Sequence, residues 1–317
     1  MSSYGIQKES LTVIKVRFVV LHVGALAAFF VPFDWALVWV LAASWLLRMF
    51  GVEAGYHRYF SHRAFKTSRA FQFIIGLLGA SAGQRGPLWW AAHHRSHHRH
   101  SDQEGDVHSP RDGLWHAHLG WLLDPKNVDT NLDAIPDFAR YPELRWLNRF
   151  YMVPMAALLA GLAVGGASGW LGANVSGWSA VLWGFFLPTT GVLHATLAVN
   201  SIAHLGGRFG GRRRFETTDE SVNHAWLAIP TTGASWHNNH HRFRAAARAG
   251  FAWWEVDLSY IGLKALERCR LVWGLRPVPV DVLAEGGLSP AAAESRLNAR
   301  EESERVHVAS SSGTSRS

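Results

Sequence analysis

Three clusters of histidine are the residues of this sequence best suited to do chemistry. The clusters read His57-Arg-Tyr-Phe-Ser-His62, His93-His94-Arg-Ser-His97-His98-Arg-His100 and His237-Asn-Asn-His240-His241, and a further histidine ends the segment Asn200-Ser-Ile-Ala-His204. Histidine is the commonest metal ligand among the side chains and a frequent acid–base group. Grouped histidines of this kind predict a metal site.

The spacing within the second cluster fits metal binding from a helix. His94 lies three and four positions before His97 and His98, so all three project from roughly one side. His97 and His98 point about 100° apart around the axis, and adjacent histidines can therefore serve two different metals. The third cluster repeats the same spacing.

The other two histidine segments have different spacings. Asn200 and His204 share a helix face at i, i+4. His57 and His62 are five apart, which a straight α-helix would splay. We therefore expect a helix end or a turn between them.

Nine of these histidines and Asn200 suffice for two metals with four or five ligands each. Imidazole binds Fe, Zn, Cu and Ni, so the ligand type leaves the metal open. The single cysteine, Cys269, excludes an iron–sulfur cluster, a zinc finger and an internal disulfide. Iron is favoured because no cysteine lies among these histidines to bind Cu(I), and because the adjacent glutamate pattern typical of a metallohydrolase is not found there. Alone, the second cluster could be a histidine-rich buffering tract.

The remaining histidines fall outside the ligand pattern. No metal is assigned to His22, His194 or His307, and the others are expected either to contact and support the ligands or to be polar surface, the latter for most of them. Those others are His93, His100, His108, His116, His118 and His224.

Four apolar stretches must position the clusters: Leu11–Phe30, Trp35–Phe50, Tyr151–Leu171 and Trp178–Ala203. Each approaches or exceeds the about 20 residues that cross a bilayer core. The connections within each pair hold no Lys or Arg, which indicates that both termini and the long loop between the pairs are cytoplasmic. Residues 71–90 are apolar but interrupted by glycines, and we expect an interfacial or re-entrant helix there. The predicted fold is an all-α integral membrane protein, with four transmembrane helices in two hairpins and a helical cytoplasmic cap that holds the metals.

Composition agrees with a membrane protein that has a large polar part. Mean hydropathy is 0.00 with 48% hydrophobic residues, and 31 Lys+Arg against 24 Asp+Glu give a net charge of +7. No nucleic-acid motif accompanies this charge, so phospholipid headgroups or an acidic partner explain it better. We divide the chain into a membrane domain with its cap, residues 1–283, and a tail, residues 284–317, whose Ala, Glu, Arg and Ser content predicts disorder.

The motifs HRYFSH, HHRSHH and WHNNHH resemble the three histidine boxes of the membrane fatty acid desaturases of the acyl-CoA (stearoyl) type, and NSIAH resembles the element that supplies a further ligand. The flanking sequence is similar to the bacterial branch. The resemblance implies a mushroom-shaped, four-span fold with a di-iron centre, in which Asn200 binds one metal through a water. The histidine ligands it implies are His57, His62, His94, His97, His98, His204, His237, His240 and His241. The family commonly has a glutamate where this chain has Ala234, and we expect this departure to affect the substrate or product more than the metal site.

The function implied by the resemblance is O2-dependent insertion of a cis double bond into a saturated acyl chain. CoA is the first choice of carrier and delta-9 the first choice of position, while acyl carrier protein and phospholipid stay open as carriers. The cofactor is a pair of iron ions (Fe2+/Fe3+). A lipid hydroxylase or alkane monooxygenase on the same scaffold is the alternative. A metal transporter is more remote, because transporters place their ligands near the middle of the membrane.

Two groups of residues are candidates for substrate contacts. Trp89, Trp90 and Trp236 are candidate walls for the acyl chain, or else anchors at the membrane interface. Three basic residues are candidates for a phosphate-bearing head group, or else a solvated patch on the cytoplasmic side. They are Arg63, Lys66 and Arg69.

Each turnover needs two external electrons, and the chain has no cysteine cluster, no dinucleotide fingerprint and no haem-binding extension. A separate donor is therefore expected: a ferredoxin, a rubredoxin or a cytochrome-b5-like protein with its reductase. Two arginine runs are predicted to attract such an acidic partner. They are Arg208, Arg212, Arg213 and Arg214, and Arg242, Arg244 and Arg248.

Overall fold

The computed structural model describes residues 10–289, so most of the predicted tail lies outside the described residues. Within this range the structure is mostly helical, as predicted, and the only sheet pairs β1 (Lys66–Thr67) with β2 (Val272–Trp273) in antiparallel register. The α-helices are α1 (Leu11–Ala27), α2 (Trp35–Phe50), α3 (Arg69–Ala80), α4 (Pro87–His100), α5 (Leu114–His118), α6 (Pro136–Ala139), α7 (Pro142–Arg149), α8 (Met152–Ala167), α9 (Gly177–Val181), α10 (Leu187–Ser201), α11 (His237–Arg242), α12 (Leu258–Arg268) and α13 (Val280–Glu285). π-Helical segments cover Gly51–Ser61 and Leu182–Phe186, and short 3-10 helices cover Ala28–Phe30, Pro110–Asp112, Gly120–Leu123, Pro125–Asn127, Leu132–Ala134, Ile202–His204 and Arg208–Gly210.

Among residues 10–289, three helical segments are long and apolar enough to cross a membrane: Leu11–Phe30, Trp35–Ser61 and Gly177–His204. A fourth is obtained if α7 and α8, which are bent by 66° at their junction, count as one span. The second segment is longer than the predicted Trp35–Phe50, because α2 continues without a break into the π-helix Gly51–Ser61. That extension carries the first histidine cluster.

The π-helix packs closely against α3 through two glycines. A Cβ atom built on Gly51 would lie 2.6 Å from the backbone of Gly79, and one built on Gly79 would lie 2.4 Å from the ring of Tyr56. Only glycine permits this approach of two backbones. Residues 71–90, predicted as one interfacial or re-entrant helix, instead form two helices separated at residues 81–86. Pro87 begins α4, where its missing N–H costs no hydrogen bond.

A buried arginine on α2 forms hydrogen bonds with the continuous helical segment Gly177–His204, which contains α10. Arg48 is 1% exposed, and its guanidinium donates to Thr189 Oγ1, to Gly184 O at 3.2 Å and to Ser44 O at 3.2 Å. Gly184 lies in the π-helix Leu182–Phe186, where the altered backbone hydrogen-bond pattern leaves carbonyls available to other donors. Ionisable groups inside apolar helices are tolerated when backbone carbonyls satisfy them in this way.

Candidate metal centre

The first histidine pair owes its alignment to the π-helix that extends α2. Residues five apart share a face in this geometry, because a π-helix bonds each N–H to the carbonyl five residues earlier. The N–H of His62 donates to His57 O at 3.2 Å, and His62 caps the segment that ends at Ser61. The expected helix end is therefore present, but it follows the π-turn that brings the two rings together.

The helices α4 and α11 carry the second and third clusters, as their spacing predicts. Each helix divides its histidines between two groups. His94 and His98 face one group and His97 the other, in keeping with the angle between neighbours on a helix. On α11, His240 separates from His237 and His241 in the same manner.

All nine histidines implied by the resemblance meet in two adjacent groups. The five-histidine cluster consists of His57, His62, His94, His98 and His240. The four-histidine cluster consists of His97, His204, His237 and His241. In each cluster the potential ligand nitrogens lie within 4.8 Å of one another. The rings of His98 and His241, one from each cluster, have centroids 4.6 Å apart, so the two groups are immediate neighbours.

Hydrogen-bond chemistry shows that the four-histidine cluster fits a cation. His204 Nδ1 is 2.9 Å from Asp102 and His241 Nδ1 is 2.7 Å from Asp219, and an ionised carboxylate can only accept. Both Nδ1 atoms therefore hold the proton, and in neutral rings both Nε2 atoms carry lone pairs. These face His237 Nε2 at 2.8 and 3.0 Å, yet one ring nitrogen has at most one hydrogen to donate. A metal ion among the three nitrogens removes the conflict.

The five-histidine cluster has the same character. Its Nε2 atoms face each other at 2.8 Å for His62 and His94, 3.0 Å for His94 and His98, and 2.9 Å for His98 and His240. Burial lowers the pKa of His94, His98 and His240 well below 6.5. The rings are therefore neutral at pH 7, which is the form that binds a metal.

Four carboxylates that the sequence analysis did not single out orient these rings. Glu53 accepts from His57 at 2.9 Å, Asp106 from His97 at 2.9 Å, Asp102 from His204 and Asp219 from His241. Burial tends to raise the pKa of Asp106, but the hydrogen bond and charge of His97 outweigh it and hold that pKa far below its usual range. Glu53 has a detectable signal, since it precedes His57 by one helical turn.

Histidines outside the nine are less peripheral than predicted. His108 and His224 are buried rather than at the surface, and His108 stacks on His97 with ring centroids 4.3 Å apart. His22, His194 and His118 form a separate hydrogen-bonded row, with 2.9 Å between His22 Nε2 and His194 Nε2 and 3.0 Å between His194 Nδ1 and His118 Nε2.

An apolar cavity reaches the five-histidine cluster at His94. Its walls include Phe18 and Leu21 of α1 and Leu193 and Leu197 of α10. Trp89 and Trp90 line it, as does Asn200.

The other candidate substrate residues do not line this cavity. Trp236 is buried, and its Nε1 donates to Val256 O at 2.8 Å. Arg63 pairs with Asp137 at 3.2 Å, and Arg69 pairs with Glu143. Lys66 lies in β1, opposite Trp273. Two cations that the sequence analysis did not propose, Arg17 and Arg85, do line the cavity.

Comparison with known proteins bears on what this site does. The family model described as fatty acid desaturase matches residues 33–260, a range that contains all nine histidines. The chain belongs to the fatty acid desaturase family. It is 38% identical over 260 residues to a hex-5-enoyl-[acyl-carrier protein] acetylenase of Moorena producens, with 77% of this chain and 78% of that protein covered.

Two further relatives are named as desaturases of different substrates. An sn-1 stearoyl-lipid 9-desaturase of Anabaena variabilis is 38% identical over 255 residues, covering 79% of this chain and 88% of that protein. An acyl-CoA 5-desaturase of Anemone leveillei is 33% identical over 269 residues, covering 83% and 78%. The predicted family is confirmed, and the desaturase is an oxidoreductase that acts on fatty acyl chains.

Proposed function

We propose that this desaturase holds two iron ions with its nine clustered histidines and inserts a cis double bond into a saturated acyl chain, with O2 as co-substrate. One observation carries the proposal: His94, a member of the five-histidine cluster, lines the apolar cavity. A hydrocarbon chain lying in the cavity is thereby brought to the metal centre. We also propose that Asn200, which lines the same cavity, binds one metal through a water.

The pair of irons supplies the O2 activation needed to remove hydrogen from an unactivated methylene, a task beyond any side chain. The reaction balances when R–CH2–CH2–R′, O2, two electrons and two protons give R–CH=CH–R′ and two waters. The protein therefore needs an external two-electron supply for every double bond. We propose a separate ferredoxin, rubredoxin or cytochrome-b5-like carrier with its reductase.

The chain's own residues hold the substrate and exclude water. Trp90 Nε1 donates to Gln84 Oε1 at 3.3 Å, and Gln84 Nε2 donates to Thr196 Oγ1 at 2.9 Å. This connection fixes the indole of Trp90 between α4 and α10, where it lines the cavity beside His94. A rigid wall at this point selects which methylene approaches the centre, since small displacements of a reacting group cost large factors in rate.

The carrier of the acyl chain is proposed to bear phosphate, with CoA as the first choice. Arg17 and Arg85 line the cavity, and Arg17 Nη1 donates to Tyr151 OH at 2.6 Å. Cations at the cavity suit a phosphate-bearing head group. The relatives are named for chains on acyl carrier protein, on lipid and on CoA, so family membership leaves the carrier open. A delta-9 position is supported by the relatives named as 9-desaturases.

The proposed topology has four spans, with both termini and the metal centre on the cytoplasmic side. It is supported by the three long apolar helices, by the bent pair α7 and α8 as a fourth span, and by the absence of Lys and Arg in residues 31–34 and 172–177.

The experiment is expression in a host that lacks fatty acid desaturation, followed by mapping of double bonds in the total fatty acids. A cis monounsaturated chain that disappears in a His98→Ala variant is the expected result. Hydroxylated or chain-terminally oxidised products instead would identify the hydroxylase or alkane monooxygenase. No oxidised product in cells that contain the membrane-inserted protein and a carrier would contradict the proposal.

A further inference from the structure

The two histidine clusters differ in the charges that surround them. In the five-histidine cluster, one carboxylate touches one ring: Glu53 accepts from His57 Nδ1. Its charge is offset in part by the buried guanidinium of Arg58, whose Nε and Nη2 each lie 3.1 Å from the same carboxylate and whose Nη2 also pairs with Asp257 at 2.9 Å. No other carboxylate among the described residues accepts from a ring of this cluster.

The four-histidine cluster has carboxylates on three of its four rings: Asp106 on His97, Asp102 on His204 and Asp219 on His241. The carboxylates of these aspartates are otherwise held by neutral donors, and Arg213 donates to the backbone carbonyls of Asp219 and Thr217 rather than to any of these carboxylates. Asp102 accepts from the backbone N–H of Glu220 at 2.8 Å, and Asp219 accepts from the N–H of Ser221 at 2.9 Å. Within residues 10–289 no Lys or Arg forms an ion pair with any of the three.

Cations gather at the other cluster. Besides Arg58, Arg244 lies with its Nη1 3.4 Å from His98 O, and Arg95, which also pairs with Asp137 at 2.8 Å, donates to Ser61 O, one residue before His62. The centre is therefore polarised along its length, with arginines beside the five histidines and aspartates beside the four.

This distribution has a direct consequence for bound metal. A carboxylate on the far nitrogen makes an imidazole a more basic ligand, and uncompensated negative charge favours the higher charge state of an ion. The additional neutral imidazole of the five-histidine cluster adds a donor but no charge. The position with more uncompensated negative charge around its ligands is therefore expected to hold a ferric ion better.

We propose that the two metal positions are inequivalent: the four-histidine position binds iron more tightly and keeps it ferric when the five-histidine position is already ferrous. Asp102, Asp106 and Asp219 are positioning residues in this proposal, since they act through the rings they contact. The inference rests on the proposed di-iron function and adds an order of reduction to it.

The test is a stepwise chemical reduction of the purified full-length protein loaded with ⁵⁷Fe, followed by Mössbauer spectroscopy. The expected result is an intermediate stage with one ferrous and one ferric ion per chain. In the Asp106→Asn and Asp219→Asn variants, iron at one position is expected to bind about 10–100-fold more weakly and to be reduced earlier, so that the mixed stage shrinks. The Glu53→Gln variant is the matched control, because it removes a carboxylate from the other cluster and is expected to ease reduction there, so that the mixed stage widens rather than shrinks.

The outcomes separate this inference from the proposed function. Two irons per chain that are reduced together in the unmodified protein, or a mixed stage that survives both aspartate substitutions unchanged, would overturn the inference and leave the di-iron function standing. Absence of a redox-active iron pair from a protein that still makes product would overturn both. If the variants fail to fold, the unmodified protein alone decides, because reduction of both irons together in it is sufficient to contradict the inference.

Discussion

The indole of Trp90 stacks on the imidazole of His94, with ring centroids 4.8 Å apart and planes inclined by 28°. Both residues line the apolar cavity, and they are one turn apart on α4. The wall of the acyl cavity and a proposed iron ligand are therefore supported by the same helix. A substitution at Trp90 is therefore expected to change how the acyl chain approaches His94.

Replacing Trp90 by Ala is expected to lower turnover by about 100-fold and to spread the double bond over neighbouring positions, because the chain loses the wall that fixes it near His94. Iron content should stay the same, since Trp90 donates no ligand. Product mapping and metal analysis of the variant check both parts. Trp254→Ala, at an indole that is 51% exposed, is the control. Unchanged rate and product in Trp90→Ala would remove Trp90 from the substrate path.

Arg95, the arginine within HHRSHH, connects the helix of the second histidine cluster to the backbone of the first cluster. Its guanidinium donates to Phe60 O at 2.7 Å, to Ser61 O at 3.0 Å and to Asp137 at 2.8 Å. Arg95→Met leaves two carbonyls without this donor and leaves Asp137 with Arg63 as its remaining cation, at a cost of about 2–3 kcal/mol. The melting temperature in detergent and the iron content should both fall. Arg99→Met, at the exposed arginine on the same helix, should match the unmodified protein, and equal behaviour of the two variants would contradict this role of Arg95.

The basic surface predicted to attract an electron carrier is partly neutralised in the structure. Arg214 pairs with Glu255 and Arg242 with Glu285, whereas Arg244 is exposed and lies against His98 O. The proposed docking contact is therefore Arg244 rather than the whole of both runs.

With an acidic carrier at low salt, Arg244→Glu is expected to lower the rate about 10-fold or more, because steering by charge changes the rate of encounter. The loss should shrink as salt is added, and it should vanish when a small chemical reductant replaces the carrier. Arg111→Glu, an equal charge change at another exposed site, serves as the control. A rate that is insensitive to both the substitution and ionic strength would rule out electrostatic docking here.

Local spacing accounts for much of what the sequence predicted. The pattern of His94, His97 and His98 predicts a helix that faces two groups, because helical angles depend on neighbours alone. The π-helix at His57 was not predicted, since its stability comes from packing such as the close contact of Gly51 with Gly79. Asp219 was missed for the same reason: it lies 22 positions from His241 and reaches it only through the fold.

The packing around position 234 explains why this chain has alanine where the family commonly has glutamate. The side chain is 6% exposed and lies in a buried cluster with Ala198, Val199, Ala203 and Leu227. A glutamate pointing into these apolar neighbours would lose its hydration without a partner, which is costly. Alanine therefore suits the packing of this chain, and the sequence motif alone gave no sign of that environment.

The most direct test of the di-iron assignment is the number of irons bound per chain by the purified full-length protein, measured by elemental analysis with zinc and copper determined in parallel. Nine histidines in two clusters predict about two irons per chain. His98→Ala and His237→Ala, one ligand from each cluster, should each fall to one iron or fewer while the protein remains inserted in the membrane. A catalytically active preparation with a single iron, or one in which both variants retain two, would contradict the assignment of these histidines to a di-iron centre.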